Sequence, residues 1–240
     1  MEHLVKAENY ICIDLETTGL NPKTDRIIEI GAIKVRDGKV AEVFETFVNP
    51  GRVLEERIVE LTGISDEMLK DAPDMKEVLP KLLAFAGEDV LLGHSVLFDY
   101  SFIKKAAVNN KLTFERQGID TLKIARRYLT ELPSRSLDCL CNHYKIAHKA
   151  HRALADAKAT CELYDRLWED FGNREDALKI FEPVQLHYQV KRDTPITPAQ
   201  KERLYKLLKK HKITVEYEVD KLTRSEASRY TDRILAEYGR

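Results

Sequence analysis

The sequence predicts an α/β fold. A mixed sheet opens as an antiparallel meander, continues with parallel strands, and is flanked by helices, with a small C-terminal helical module behind it. Three observations carry this. Residues 10–48 hold three apolar runs separated by turn signals, residues 74–170 alternate short strands with amphipathic helices, and residues 197–239 carry helix caps of their own.

The first strand is read at residues 10–16, where Ile11, Ile13 and Leu15 share one face and Cys12, Asp14 and Glu16 the other, before Thr17-Thr18-Gly19 stops it. The second run, 27–35, leads into Asp37-Gly38, a dipeptide suited to a tight hairpin, and the third, 40–48, ends at Asn49-Pro50. A helix over 74–86 places Val78, Leu79, Leu82 and Leu83 at helical spacing. A short strand at 90–92 stops at Gly93, and the next helix starts near Phe98. The run 137–144 reads as a helix, and a long one over 153–170 repeats apolar residues at Leu154, Ala157, Cys161, Tyr164 and Trp168. Gly172-Asn173, Pro183, Pro195 and Pro198 break the periodicity, so a linker is expected there. Thr197-Pro198 then reads as an N-cap with Pro at the first helical position, and Thr223 with Glu226 as a capping box for a helix ending at Gly239.

At roughly 150 residues per domain, 240 residues give one sizeable core and an appendage, with boundaries expected at 7–172, a linker at 173–192 and a helical module at 193–240. Hydrophobic residues at 43% and charged residues at 33% exclude a disordered chain. The net charge of −1 is unevenly spread: residues 1–190 hold 26 Lys and Arg against 32 Asp and Glu, and residues 191–240 hold 13 against 8. A basic tail on an acidic core hints at an anionic partner, although a solvated helix surface gives the same balance. Met1-Glu-His-Leu opens no apolar leader, and Val90-Leu91-Leu92 is far too short to span a membrane. Four cysteines without a C-x-x-C pair suit a reducing, cytoplasmic setting.

Asp14 and Glu16 stand at i and i+2 on a strand, so their carboxylates point the same way about 7 Å apart and repel unless a cation lies between them. Asp99 leads the stripe Phe102, Ile103, Ala106, and Asp156 leads Thr160, Leu163, Leu167, so each helix aims a carboxylate along its apolar side. Helix capping is the alternative for both. Four inward carboxylates carry about −4, which two hard divalent cations, Mg²⁺ or Mn²⁺, would balance with oxygen-only ligands. Such a pair clamps the attacking and leaving oxygens of a phosphoryl displacement. His151, five residues before Asp156, suits proton transfer from water, with a surface cap as its alternative.

The order Asp14-x-Glu16-Thr-Thr-Gly-Leu, His94-Ser-Val-Leu-Phe98-Asp99 and His151-Arg-Ala-Leu-Ala-Asp156 resembles the three motifs of the DEDDh exonuclease family, over about residues 7–170. That family includes the proofreading subunit of bacterial DNA polymerase III and RNase T-type enzymes. The resemblance implies an RNase H-like fold and 3′–5′ removal of nucleotides with two Mg²⁺ or Mn²⁺ ions. Asp14, Glu16, Asp99 and Asp156 would be the metal ligands, and His151 the general base. Thr17 and Leu20 would touch the terminal nucleotide, with His94 and Phe98 nearby. The sister class places a tyrosine four residues before the last aspartate, where this chain has Arg152. Two positions depart from the usual pattern: His94-Ser95 stands where His-Asn is common, and Thr62-Gly63-Ile64 where a substrate loop often reads His-Gly-Ile.

Expected partners are therefore 3′ ends of single-stranded DNA or RNA, together with a DNA polymerase or another replication or repair protein. The competing reading is a nucleic-acid or polymerase-binding module without chemistry, which the five filled motif positions oppose. Cys139-x-Cys141-x-His143 has the wrong spacing for zinc, and Glu29 and Asp120 are read as structural. From Asp99 to Arg152, 11 Lys and Arg face 5 Asp and Glu, as a groove following a phosphate backbone would require and as helix surfaces alone also give. The tail is expected to be separable, supplying affinity and not chemistry.

Overall fold

The computed structural model describes residues 5–148, 150–215 and 217–239; the Met1–Leu4 opening lies outside them. The meander runs as β1 (Tyr10–Thr17), β2 (Ile27–Arg36) and β3 (Lys39–Phe47). Asp37 and Gly38 turn β2 into β3 with φ of 49° and 70°, the left-handed pair that a two-residue hairpin requires. Two short helices, α1 (Glu56–Thr62) and α2 (Asp66–Leu69), precede α3 (Met75–Ala86), β4 (Leu91–Gly93) and α4 (Val96–Asn109). Next come β5 (Gln117–Asp120), α5 (Thr121–Tyr128), α6 (Leu137–Tyr144), α7 (Ala153–Phe171), α8 (Ala177–Phe181) and β6 (Val184–Gln185). The chain closes with α9 (Pro198–His211) and α10 (Arg224–Tyr238).

The sheet order is β3-β2-β1-β4-β5-β6. β1 runs antiparallel to β2 and parallel to β4, β4 is parallel to β5, and β6 is antiparallel at the edge. This is the mixed sheet of an RNase H-like fold.

Alternation along β1 builds two cores. Tyr10 and Cys12 pack with α5, α6 and α7 on one face, and Ile11, Ile13 and Leu15 pack with α3 and α4 on the other. Asp14 and Glu16 continue the Tyr10–Cys12 row to the strand's open end, beneath the N-terminus of α7. That helix can sit there because β2 carries Gly31: a Cβ would fall 2.2 Å from the Leu154 nitrogen and 2.3 Å from the Ala153 carbonyl carbon. Backbone cannot yield to such contacts. Gly31→Ala is expected to push α7 off the sheet and to cost about 3 kcal/mol or more, read as a lower urea midpoint at unchanged m-value.

The expected linker at 173–192 is not one. Within it, α8 places Ala177 and Phe181 in the first core, β6 extends the sheet, and Leu186 enters the second core. The prolines and Gly172 mark interruptions of regular structure, which is a different thing from loss of packing. A cut after Pro183 would therefore remove β6 and Leu186. From α9 onward the module has its own apolar cluster, Leu204, Leu208, Val219, Leu222, Ala227 and Ile234. The expected N-cap at Thr197 and capping box at Thr223 are present, and Thr197 also closes a box with Gln200.

Candidate active site

β1 and β4 pair only through Ile11 and Cys12, so the far half of β1 has a free edge toward β4. Asp99, one turn into α4 and 3% exposed, uses that edge: its Oδ1 accepts the Leu15 N–H at 3.1 Å. From the opposite side α7 supplies Asp156, 6% exposed. One oxygen from each of Asp14, Glu16 and Asp156 lies within 4.8 Å of the others. Among the described residues this is the only such cluster, and Cys139, Cys141 and His143 form none.

The electrostatics follow from crowding. Burial first, then the charges of Asp99, Asp156, Glu16 and Glu29, push Asp14 well above the ordinary carboxylate range. Burial, then Asp156 and Glu29, pushes Glu16 up to about 8 against the pull of Arg152. Asp99 and Asp156 are raised by burial too, opposed by backbone N–H groups at Asp99 and by the His148 ring at Asp156. Such a cluster is stable only when protons or cations neutralise it. Its donors are all carboxylate oxygens, which fits hard divalent ions.

The cleft around the cluster has a volume of about 600 Å³, and Thr17, Leu20, His94, Phe98 and His151 all line it. Thr17 Oγ1 donates to the Gly19 carbonyl at 2.7 Å, tying down the turn, while Leu20 stands 84% exposed. Phe98 packs against Phe102 with ring centres 5.0 Å apart and planes tilted by 53°. His94 has both ring nitrogens engaged: Nε2 donates to the Arg135 carbonyl at 2.8 Å and Nδ1 faces the Thr121 hydroxyl at 2.9 Å. Burial holds its imidazole below the usual range, so it is neutral and offers the cleft only its ring.

Thr62 behaves otherwise. It is buried at the end of α1, its hydroxyl donating to the Ile58 carbonyl at 2.8 Å and accepting the Ile64 N–H at 3.1 Å, and it does not line the cleft. A left-handed Gly63 ends the helix there, and the threonine closes that turn internally. Arg57, Ile58 and Leu61 of α1 face the cleft in its place.

His151, which lines the cleft, and Ser95, next to the cleft residue His94, hold left-handed backbone (φ 62° and 74°), an unfavourable state for residues with a Cβ. A carboxylate that the sequence marked only as structural fixes Ser95 itself and, in the other case, the two residues that follow His151. Asp120 accepts the Ser95 N–H at 2.9 Å. Glu29, 1% exposed, takes the Arg152 guanidinium through Nε and Nη2 and the Ala153 N–H at 3.0 Å, while the Arg152 N–H donates to Asp156. His148 went unrecognised as a site residue. It lies eight residues before Asp156, with Nε2 against Asp156 and Nδ1 3.0 Å from Asp138 Oδ1. The sequence holds no periodic signal for it, because it sits in the loop between α6 and α7.

A family model described as "Exonuclease" matches residues 11–164, which spans the motifs and their strands. The chain belongs to the exonuclease family. It is a nucleic-acid hydrolase of the 3′–5′ exonuclease class. It is 45% identical over 162 residues to the PolC-type DNA polymerase III of Caldanaerobacter subterraneus subsp. tengcongensis, covering 67% of this exonuclease chain and 12% of that relative. The Bacillus subtilis PolC-type DNA polymerase III is 33% identical over 245 residues, 97% of this chain and 17% of the relative. The chain thus spans about a sixth or less of these curated relatives. Among solved structures, exonuclease X in complex with 5′ overhanging duplex DNA shares 26% identity at a TM-score of 0.55, covering 68% of this chain and 93% of that one. E. coli exonuclease I in complex with a dT13 oligonucleotide shares the fold, with 20% identity and a TM-score of 0.66 over 72% and 44% of the chains. Members of the family use divalent metal ions. Among the described residues no helix is long and apolar enough to cross a membrane.

Proposed function

We propose that this chain hydrolyses the terminal phosphodiester bond at the 3′ end of single-stranded nucleic acid, DNA in preference to RNA, with two Mg²⁺ or Mn²⁺ ions and His151 as general base. The observation that carries it is the convergence of Asp14, Glu16 and Asp156, from elements about 140 residues apart, on one point of a cleft that His151 also lines. Asp99 would complete the ligand set. When bound, the ions would neutralise charge on the attacking and leaving oxygens.

The chain's own residues do the rest. Leu20 and Phe98 offer apolar faces to the terminal base and sugar, and the rigid Thr17–Gly19 turn fixes the height at which they do so. His151 has no hydrogen-bond partner among the described residues, so its ring is free to take a proton from water. His148 has both nitrogens committed to carboxylates, which leaves it a poor base and a good orienter of Asp156. Part of the basic surplus between Asp99 and Arg152 is already spent, since Lys104, Lys105, Arg116 and Arg127 pair with Glu115, Asp193, Glu88 and Asp176.

The DNA preference rests on relatives named as DNA polymerases and on neighbours solved with DNA. They also favour a cytoplasmic setting and a DNA polymerase, or another replication or repair protein, as partner. A 3′-labelled single-stranded oligonucleotide should release labelled mononucleotide first, only with Mg²⁺ or Mn²⁺, and faster for DNA than for RNA of the same sequence. Binding without release in either metal would identify a silent binding module, and label appearing last would reverse the polarity.

A further inference from the structure

Helix α10 packs, through one face at positions 226, 229 and 233, on the segments that lead into the catalytic cleft. Glu226, 2% exposed, lies between Arg26 and Arg52, accepts from both guanidiniums, and accepts the Thr223 N–H at 2.8 Å. One turn on, Arg229 donates to Thr24 Oγ1 at 2.9 Å and to Oδ1 of Asp25, itself 5% exposed. The other oxygen of Asp25 accepts the Asn21 N–H at 2.9 Å. That oxygen also fills the space beside Gly19 that a side chain would take, since an added Cβ would fall 2.5 Å from it. Arg229, Asp25 and Gly19 therefore form one line of contact that ends beside Leu20. A further turn along, Arg233 donates at 2.9 Å to Glu55, the residue that starts α1. Helix α1 carries Arg57, Ile58 and Leu61 into the same cleft.

Leu20 needs this support. It is a large apolar side chain held almost wholly in solvent, so its own packing does not fix it and the backbone of 19–25 must. Without Arg229, Asp25 would be a buried carboxylate held by a single backbone N–H. It would turn outward to water and release Gly19 and Asn21.

We infer that the C-terminal module braces the substrate-binding rim of the cleft, with Arg229 and Arg233 as positioning residues that act through Asp25 and Glu55 on Leu20 and α1. The inference rests on the exonuclease reading above for its kinetic consequence, and on geometry alone for its mechanical one.

The test uses the full chain with Arg229→Met, Arg229→Lys and Arg233→Met, the last a half-exposed pair whose loss does not threaten folding. On a short single-stranded oligonucleotide, Arg229→Met should raise KM roughly tenfold at a kcat within about twofold, and Arg229→Lys should recover part of the loss. Amide hydrogen exchange should quicken at residues 18–25 for Arg229→Met and at 55–62 for Arg233→Met, while β1 to β4 stay protected. Unchanged KM in all three, or unchanged exchange at the rim, overturns the brace. A purely structural role would instead lower kcat with the folded fraction and loosen α9 and α10 without moving KM. If the wild-type chain hydrolyses nothing, the exonuclease reading fails by itself, and rim exchange still decides whether the brace exists.

Discussion

Asp14→Ala and Asp156→Ala are each expected to lower turnover by several orders of magnitude while leaving the metal-free fold intact and more stable. The two effects share one cause. Asp14 sits among Asp99, Asp156, Glu16 and Glu29, and burial plus those charges hold its carboxyl well above the ordinary range. A carboxyl whose pKa is raised in the folded state stabilises the protein below its unfolded pKa, and that contribution is lost as pH rises through the folded value. For Glu16 the folded value is about 8, so the metal-free wild type should lose melting temperature from about pH 4 to pH 8. Asp14→Ala removes one member of the cluster and should flatten that slope. Mg²⁺ that binds the folded cluster and not the unfolded chain should raise the wild-type melting temperature, most at high pH, and by far less in either variant. Turnover falls because the same carboxylates are assigned to hold the charge that stabilises the transition state, usually the largest single contribution to such a rate. A variant keeping a tenth of wild-type turnover, or a wild type whose stability ignores Mg²⁺, would end the two-metal assignment.

How much of this was legible in the sequence depends on whether a feature is local. The alternation in β1 exposed the strand, both of its buried faces and the two carboxylates at its end, because a period of two is written in consecutive residues. The caps at Thr197 and Thr223 marked helix starts correctly, since each side chain bonds the backbone three residues on. The short elements were less visible. α1, α2 and β6 owe their existence to burial of Ile58, Leu69 and the Leu186 segment against distant residues, and two to seven residues carry too little periodicity to announce that. Thr62 was assigned to the substrate from a motif position, although its hydroxyl is spent on its own helix end.

The ties between parts of the molecule were hidden altogether. Glu29 and Arg152 stand 123 positions apart, Arg26 and Glu226 200 apart. Charge counting showed a basic tail and an acidic core but could not say that Arg229 and Arg233 spend their charge on the core's own carboxylates. A separable tail with free cations was the natural expectation from composition. The structure instead shows an apolar unit of its own joined to the core by ion pairs, most of them on the buried carboxylates of Glu226 and Asp25, which are specific in geometry and leave no trace in hydropathy.

His151→Ala is expected to lower kcat about 10²–10⁴-fold, the range of a lost general base, with Mg²⁺ affinity by calorimetry near wild type. The geometry makes this a contest between two histidines. His148 contacts Asp156 and Asp138 through its two nitrogens, so taking a proton from water would cost it a partner. His151 lines the same cleft with neither nitrogen engaged among the described residues, and its backbone is left-handed directly before Arg152 and Ala153, which Glu29 fixes. Strain at a fixed position is consistent with a side chain that must point one way. His148→Ala should therefore cost far less in kcat and should alter Mg²⁺ affinity, because Asp156 loses a neighbour. If His148→Ala instead gave the larger fall in kcat and His151→Ala the change in Mg²⁺ affinity, the two roles would be exchanged. If His151→Ala abolished Mg²⁺ binding, the residue would be a ligand and the general-base assignment would fall.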